Sequence, residues 1–266
     1  SDPLIKRVII EMIEVSTGRR KLERYYREIR DMNLPPKQIW ETALEKLAIE
    51  MQYDQAQLAK IPADGPLVLI SNHPFGLVDG IILGYMMSRI RDSFVVMINE
   101  VLCRDERLAP MAQHLVPIDF RETEEALRTN IETRRQVVER LQNGEAMAIF
   151  PAGGISTSPK PWSRPQDLEW KRFVAKVIQL SEATVVPMYV HGQNSRLFQI
   201  VSQFSMTLRL GLLMNETCNK IGQPVQIEIG DPIPYETLAP MKNRQVLLNH
   251  LRDVTFGLSD DLRKYH

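Results

Sequence analysis

The sequence predicts an α/β fold in which a central mixed sheet is covered by helices and preceded by a helical N-terminal segment. Two patterns predict it. From Pro62 onward, short β-rich apolar runs alternate with stretches of helical periodicity, whereas the residues before about 60 show helical spacing throughout. The composition agrees: 266 residues with 44% hydrophobic and 25% charged residues form an ordinary globular chain, long enough to bury a sizeable core. We therefore divide it into residues 1–60, an amphipathic helical segment, and 61–266, an α/β domain.

In the first part, Leu4, Ile5, Val8, Ile9, Met12 and Ile13 follow helical spacing, and Gly18 stands where a helix would close. A second helix carries six basic and two acidic residues between positions 19 and 30, with Tyr25 and Tyr26 among them. Pro35 and Pro36 break it, and Ile39, Trp40, Leu44, Leu47 and Met51 mark a third helix. In the second part the strands are Leu67 to Ser71, Phe94 to Ile98, Leu115 to Ile118, Ala146 to Phe150, Val185 to Val190 and Val225 to Ile229. The intervening helices are 79–90, 122–143, 168–182, 195–216 and 243–257. Met206, Leu208, Leu210 and Leu212 alternate as a strand would, but the run is too long for one, and length favours helix.

Equal numbers of basic and acidic residues, 33 of each, give no global field to gather nucleic acid. Cys103 and Cys218 have no partner at ligand spacing, which predicts reduced thiols and no metal site. The longest charge-free apolar stretch, from Gly65 to Val78, contains Asn72, His73 and two prolines and is too short to span a bilayer. Lys6, Arg7, Glu11 and Glu14 interrupt the first apolar run, unlike a signal peptide. A start at Ser1 fits either a removed initiator methionine or an excised domain.

In an α/β sheet, reactive groups gather on the loops that follow strands. The first such loop, Asn72-His73-Pro74-Phe75-Gly76-Leu77-Val78-Asp79, offers a general base in His73 and, six positions on, a carboxylate to fix its tautomer. The same pair also reads as a strand-end histidine and a helix-capping aspartate. Pro151-Ala152-Gly153-Gly154-Ile155-Ser156 supplies close-approaching amides suited to a phosphate or an oxyanion, although paired glycines also make plain turns. Arg121, just after a strand, is placed to clamp an anion or simply to be solvated beside Glu122. His191 reads as a structural histidine. There is no GxSxG, GxGxxG or phosphate-loop pattern, and no zinc-hydrolase histidine pair.

Taken in order, these loops resemble the four motifs of the glycerolipid acyltransferase superfamily, which includes the lysophosphatidate and glycerol-3-phosphate acyltransferases. The resemblance spans about residues 62–232. The family's Asn-His-(four residues)-Asp corresponds to Asn72, His73 and Asp79, and its Phe-Ile-x-Arg to Ile118 and Arg121. Its Phe-Pro-Glu-Gly-Thr-Arg-Ser corresponds to Phe150, Pro151, Gly153 and Ser156, and its Val-Pro strand to Val186 and Pro187. Three departures stand out: five residues separate His73 from Asp79, Phe120 precedes Arg121, and Ala152-Gly153-Gly154-Ile155 replaces Glu-Gly-Thr-Arg. The His-Pro-Phe-Gly and Phe-Pro-Ala-Gly forms are closer to the bacterial branch of hemolysin-like and ornithine-lipid-associated enzymes.

The resemblance implies acyl transfer from acyl-CoA or acyl carrier protein to a lyso-lipid hydroxyl, with no cofactor or metal. It implies His73 and Asp79 as the catalytic pair and Asn72, Gly76, Arg121, Gly153, Gly154 and Ser156 as substrate contacts. Alternatives are N-acyl transfer to an amino-acid head group and a non-catalytic lipid-binding module on the same fold. The basic N-terminal helices suggest peripheral contact with an anionic membrane surface, on the inner face of the cytoplasmic membrane, or helices that pack on the sheet with their arginines in water.

Overall fold

The computed structural model describes residues 18–100, 111–119, 123–160, 162–204 and 206–259. In chain order the elements are α1 (Arg19–Asp31), α2 (Pro36–Lys46), β1 (Glu50–Gln52), α3 (Gln55–Ala59), β2 (Leu67–Ser71), α4 (Leu77–Ile90), β3 (Phe94–Asn99) and β4 (Leu115–Ile118). There follow α5 (Glu124–Gln142), β5 (Ala146–Ile149), α6 (Arg172–Ser181), β6 (Thr184–Val190), α7 (Arg196–Val201), α8 (Met206–Asn219), β7 (Pro224–Ile229), α9 (Tyr235–Leu238) and α10 (Arg244–Gly257). The expected helix over Leu4 to Ile13 lies outside the described residues, as do Cys103 and Arg121.

The strands form one seven-stranded sheet in the order β1-β7-β6-β2-β5-β3-β4. It is mixed: β6, β2, β5, β3 and β4 run parallel, β7 pairs antiparallel to β6, and β1 pairs parallel to β7. Alternate side chains of each strand enter opposite cores. On one face Leu67, Leu69, Phe94, Val96, Val186 and Met188 meet α2 and α4. On the other, Val68, Ile70, Val95, Met147 and Val185 meet α5, α6 and α10. The central strand β2 is buried along its whole length, as a parallel strand covered on both faces must be.

The structure redraws the sequence reading in three places. The expected third helix stops at Lys46, and Met51 belongs to β1, so the segment before residue 60 contributes an edge strand to the sheet. The stop is a left-handed turn at Ala48 (φ 48°), where Ile49 N–H bonds to the Leu44 carbonyl. Such a closure is usually signalled by glycine, which is absent here. The single helix expected over 195–216 is two helices, α7 and α8. Two short helices, α3 and α9, were not foreseen.

Leu22, Tyr25 and Ile29 of α1 pack against the core, while Arg20, Lys21, Arg24, Arg27 and Arg30 face solvent. Its apolar stripe is thus partly covered by the core. α2 and α4 approach closely at Gly84, where an added Cβ would lie 2.2 Å from the Trp40 ring. No helix among the described residues is long and apolar enough to cross a membrane.

Two successive crossovers place the site. From β2 the chain passes through α4 to β3, beyond β5; from β5 it passes through α6 to β6, beyond β2. The two helices lie on opposite faces, so the chain turns to opposite sides of the sheet after the adjacent β2 and β5, and the crevice at their carboxyl ends lies at this switch point.

Candidate active site

The loop after β2 and the loop after β5 meet in that crevice. Asp79 sits in the first turn of α4, with its side chain fully buried. Its Oδ2 accepts from Phe75 N at 2.7 Å and Gly76 N at 2.8 Å, and lies 2.9 Å from His73 Nδ1. An ionised carboxylate only accepts hydrogen bonds, so Nδ1 carries the proton and Nε2 presents its lone pair. Nε2 has no partner among the described residues and is not sealed in protein; the His73 side chain is 14% exposed. The imidazole stacks on Phe150, with centroids 3.8 Å apart and an interplanar angle of 12°. His73 is therefore fixed at one edge, flanked on one face and open at the reactive nitrogen. The five-residue spacing is accommodated at Gly76, which takes φ 98°. A Cβ there would fall 2.7 Å from Leu213 and 2.8 Å from Ile155, so both conformation and space require glycine.

The other expected site residues divide by what they already hold. Asn72 is buried and spends its amide on the sheet, donating to the Val190 carbonyl at 2.9 Å and accepting from Val190 N at 2.7 Å. It joins β2 to β6. Ser156 is a latch on the histidine: its N–H bonds to the His73 carbonyl at 2.8 Å and its hydroxyl to Asp167 Oδ1 at 2.5 Å. The Gly153 N–H closes a turn onto the Phe150 carbonyl at 2.9 Å. Those of Gly154 and Ile155 have no acceptor among the described residues, so the free amides of this loop lie one step further along than the glycine pair suggests. Arg121 cannot be placed, lying outside the described residues. His191 follows β6, with Nε2 3.6 Å from Glu228.

Several residues here have no sequence signal. Asp167, buried, accepts from His73 N at 3.3 Å and from Trp170 Nε1 at 3.1 Å as well as from Ser156. Burial raises its carboxyl pKa above the ordinary value, against the lowering effect of those donors. The face of α8 marked by Arg209, Leu213, Glu216 and the following Lys220 covers the loops at successive turns. Arg209 Nη2 donates to the Ile155 carbonyl at 3.1 Å, and Leu213 fills the space beside Gly76. Glu216 accepts from Ser195 N and Oγ. Lys220 Nζ stands 4.1 Å from the Phe75 ring centroid. Burial lowers the Lys220 pKa, opposed by the Glu216 and Asp79 carboxylates.

A histidine–aspartate pair at the end of the central strand, beside a loop with free backbone amides, is equipped for general-base acyl transfer. The profile of the family described as Acyltransferase matches residues 21–263. The chain belongs to the acyltransferase family. This acyltransferase is 29% identical to the lyso-glycine lipid O-acyltransferase of Bacteroides thetaiotaomicron, over 76% of this chain and 73% of that one. It is 27% identical to the enzyme of the same name from Phocaeicola vulgatus, over 76% and 71% of the two chains. Its fold is that of the 1-acyl-sn-glycerophosphate acyltransferase of Thermotoga maritima, with a TM-score of 0.56 at 16% identity over 96% of this acyltransferase and 89% of that protein.

Proposed function

We propose that this acyltransferase moves a fatty acyl group from a thioester donor, acyl-CoA or acyl carrier protein, to a hydroxyl of a lyso-lipid. The observation that carries the reading is the buried Asp79 holding His73 with Nε2 open. The names of the two relatives, both lyso-glycine lipid O-acyltransferases, support an oxygen acceptor on a lipid.

The acceptor oxygen attacks the thioester carbonyl carbon while His73 Nε2 takes its proton. Asp79 stabilises the resulting imidazolium through Nδ1–H. The C–O bond forms, and the carbonyl oxygen becomes an oxyanion within reach of the Gly154 and Ile155 amides. Collapse breaks the C–S bond, and the departing thiolate takes the proton from the imidazolium, leaving ester, thiol and neutral His73. General-base action is worth roughly 10²- to 10⁴-fold and an oxyanion donor about 10²- to 10³-fold. The test is a panel of acceptors, lyso-lipids with a hydroxyl beside amino-acid head groups with a free amine, offered with each thioester donor. Ester products are expected; exclusive amide formation, or no product with any acceptor, would overturn the reading.

The same reading includes contact with an anionic membrane surface, where a lyso-lipid is found. Two features support it. Arg20, Arg24, Arg27 and Arg30 of α1 face solvent. Beside the site, Trp162 (80% exposed), Phe204 (78%), Leu197 and Leu168 project from segments tied together by Arg196 Nη1 to the Ser163 carbonyl and Gln203 to the Ser158 carbonyl. Leu168 touches the third loop at Gly154, so this apolar rim borders the crevice. Exposed aromatics flanked by Lys160, Arg164 and Arg196 suit the lipid interface. Co-sedimentation with vesicles containing anionic lipid is expected, weakened by Trp162→Ser with Phe204→Ser; an unchanged distribution with and without vesicles would contradict it.

A further inference from the structure

We propose that Arg209 binds the anionic head group of the acceptor, and so determines which lyso-lipids the enzyme accepts. The inference builds on the acyl-transfer reading above and assigns a residue that no motif of the sequence marks.

The third loop lacks a cation of its own: the position that is arginine in the pattern Phe-Pro-Glu-Gly-Thr-Arg-Ser is Ile155 here. Arg209 comes from α8, 54 residues later, and its Nη2 lies on the carbonyl of that same Ile155. A guanidinium is thus restored to this point of the loop from a different element. The next residue is Ser156, whose N–H and hydroxyl hold the His73 carbonyl, so the charge stands one residue from the latch on the base. One turn along α8, Leu213 packs beside Gly76, giving an apolar wall between the cation and the His73 loop.

Among the described residues nothing balances the charge of Arg209. No carboxylate of a described residue lies within ion-pair distance of it, and its one hydrogen bond is to a backbone carbonyl. On its other side the Phe198 ring lies 5.9 Å away and offers only a weak attraction. Burial lowers its pKa, which reports partial loss of hydration. Yet none of its nitrogens is both sealed and unpaired, so its remaining N–H donors keep contact with solvent. A partly desolvated guanidinium without a counterion is costly, and an incoming anion removes that cost while using the fork of free donors. Lys220, on the same face, differs: Glu216 and Asp79 both act on it.

Binding, measured without acyl donor, tests the inference separately from turnover. The probes are a hydroxyl-bearing N-acylglycine, its methyl ester and a lysophosphatidate, titrated as monomers into wild type and Arg209→Gln. Glutamine removes the charge and ends about where Nε stands, short of Nη2, so any loss that comes from releasing the Ile155 carbonyl appears with the methyl ester as well. We expect wild type to prefer at least one anionic probe to the ester, and Arg209→Gln to bind that probe roughly ten- to hundredfold more weakly while binding the ester as before. Arg209→Lys should recover part of the preference. The two anionic probes show whether carboxylate or phosphate is taken. No preference in wild type, or the same preference in Arg209→Gln, would overturn the proposal. Equal weakening of all three probes by Arg209→Gln would assign Arg209 a structural role and overturn it as well. Absence of acyl transfer to a probe that binds through Arg209 would count against the acyl-transfer reading instead.

Discussion

His73→Ala should keep the fold and lose at least two orders of magnitude in kcat. The side chain contributes one hydrogen bond to Asp79 and a stacked contact with Phe150, whereas the latch from Ser156 and Asp167 engages only its backbone. Removing the ring therefore leaves the loop anchored. What disappears is the only imidazole placed between the loops after β2 and β5 among the described residues. Loss of a general base costs about 10²- to 10⁴-fold, and the retained amides and binding contacts leave a measurable residue of activity. Steady-state kinetics with a thermal unfolding curve separate the two effects: an unchanged transition with kcat reduced at least a hundredfold is expected, and kcat within tenfold of wild type would remove His73 from the chemistry.

Asp79→Asn should approach the same loss by another route. Asparagine is nearly isosteric, and its oxygen can still accept from the Phe75 and Gly76 amides, so the start of α4 keeps its cap. Alanine would leave both buried donors unpaired at about 1–3 kcal/mol each, which would confuse stability with chemistry. The amide cannot balance an imidazolium. All three donors meet the same oxygen, so the orientation that keeps the cap leaves Nδ1–H on a neutral amide oxygen, and what is lost is the negative charge that stabilises the imidazolium. In the serine-protease triad the corresponding change costs about 10⁴-fold, which sets the upper range here; we expect roughly 10²- to 10⁴-fold in kcat with little change in acceptor KM. Wild-type kcat in a folded Asp79→Asn protein would show that the aspartate serves only as a helix cap.

These predictions concern residues that were legible in the sequence because they are local. His73 and Asp79 lie six positions apart, joined by a strand end, Gly76 and the first turn of a helix, each with its own pattern. The six strands read from apolar runs were all found, with ends shifted by a residue at most. The strand β1 was not legible: it has three residues with Glu50 and Gln52 exposed, and the left-handed residue that closes the helix before it is Ala48 instead of a glycine. The division between α7 and α8, at Ser202-Gln203-Phe204-Ser205, was hidden because neither glycine nor proline marks it.

The remaining misses are contacts across long separations. Asp167 reaches His73 over 94 residues, and Arg209 reaches Ile155 over 54. Periodicity shows which face of an element is apolar; it does not show which loop that face will cover. For the same reason the resemblance carried Asn72 and Ser156 as substrate contacts, and only the fold showed their groups engaged by Val190, His73 and Asp167.

The most direct test follows a labelled acyl group. Wild type and His73→Ala are each mixed with an acyl thioester labelled in the acyl chain, with and without a hydroxyl-bearing lyso-lipid, then quenched and resolved into protein, thioester and lipid fractions. Label is expected to pass from thioester to an ester on the lyso-lipid hydroxyl, only with wild type and acceptor together, and none is expected on the protein. Label held on the protein, or an equal yield of lipid ester from His73→Ala, would contradict direct transfer driven by His73.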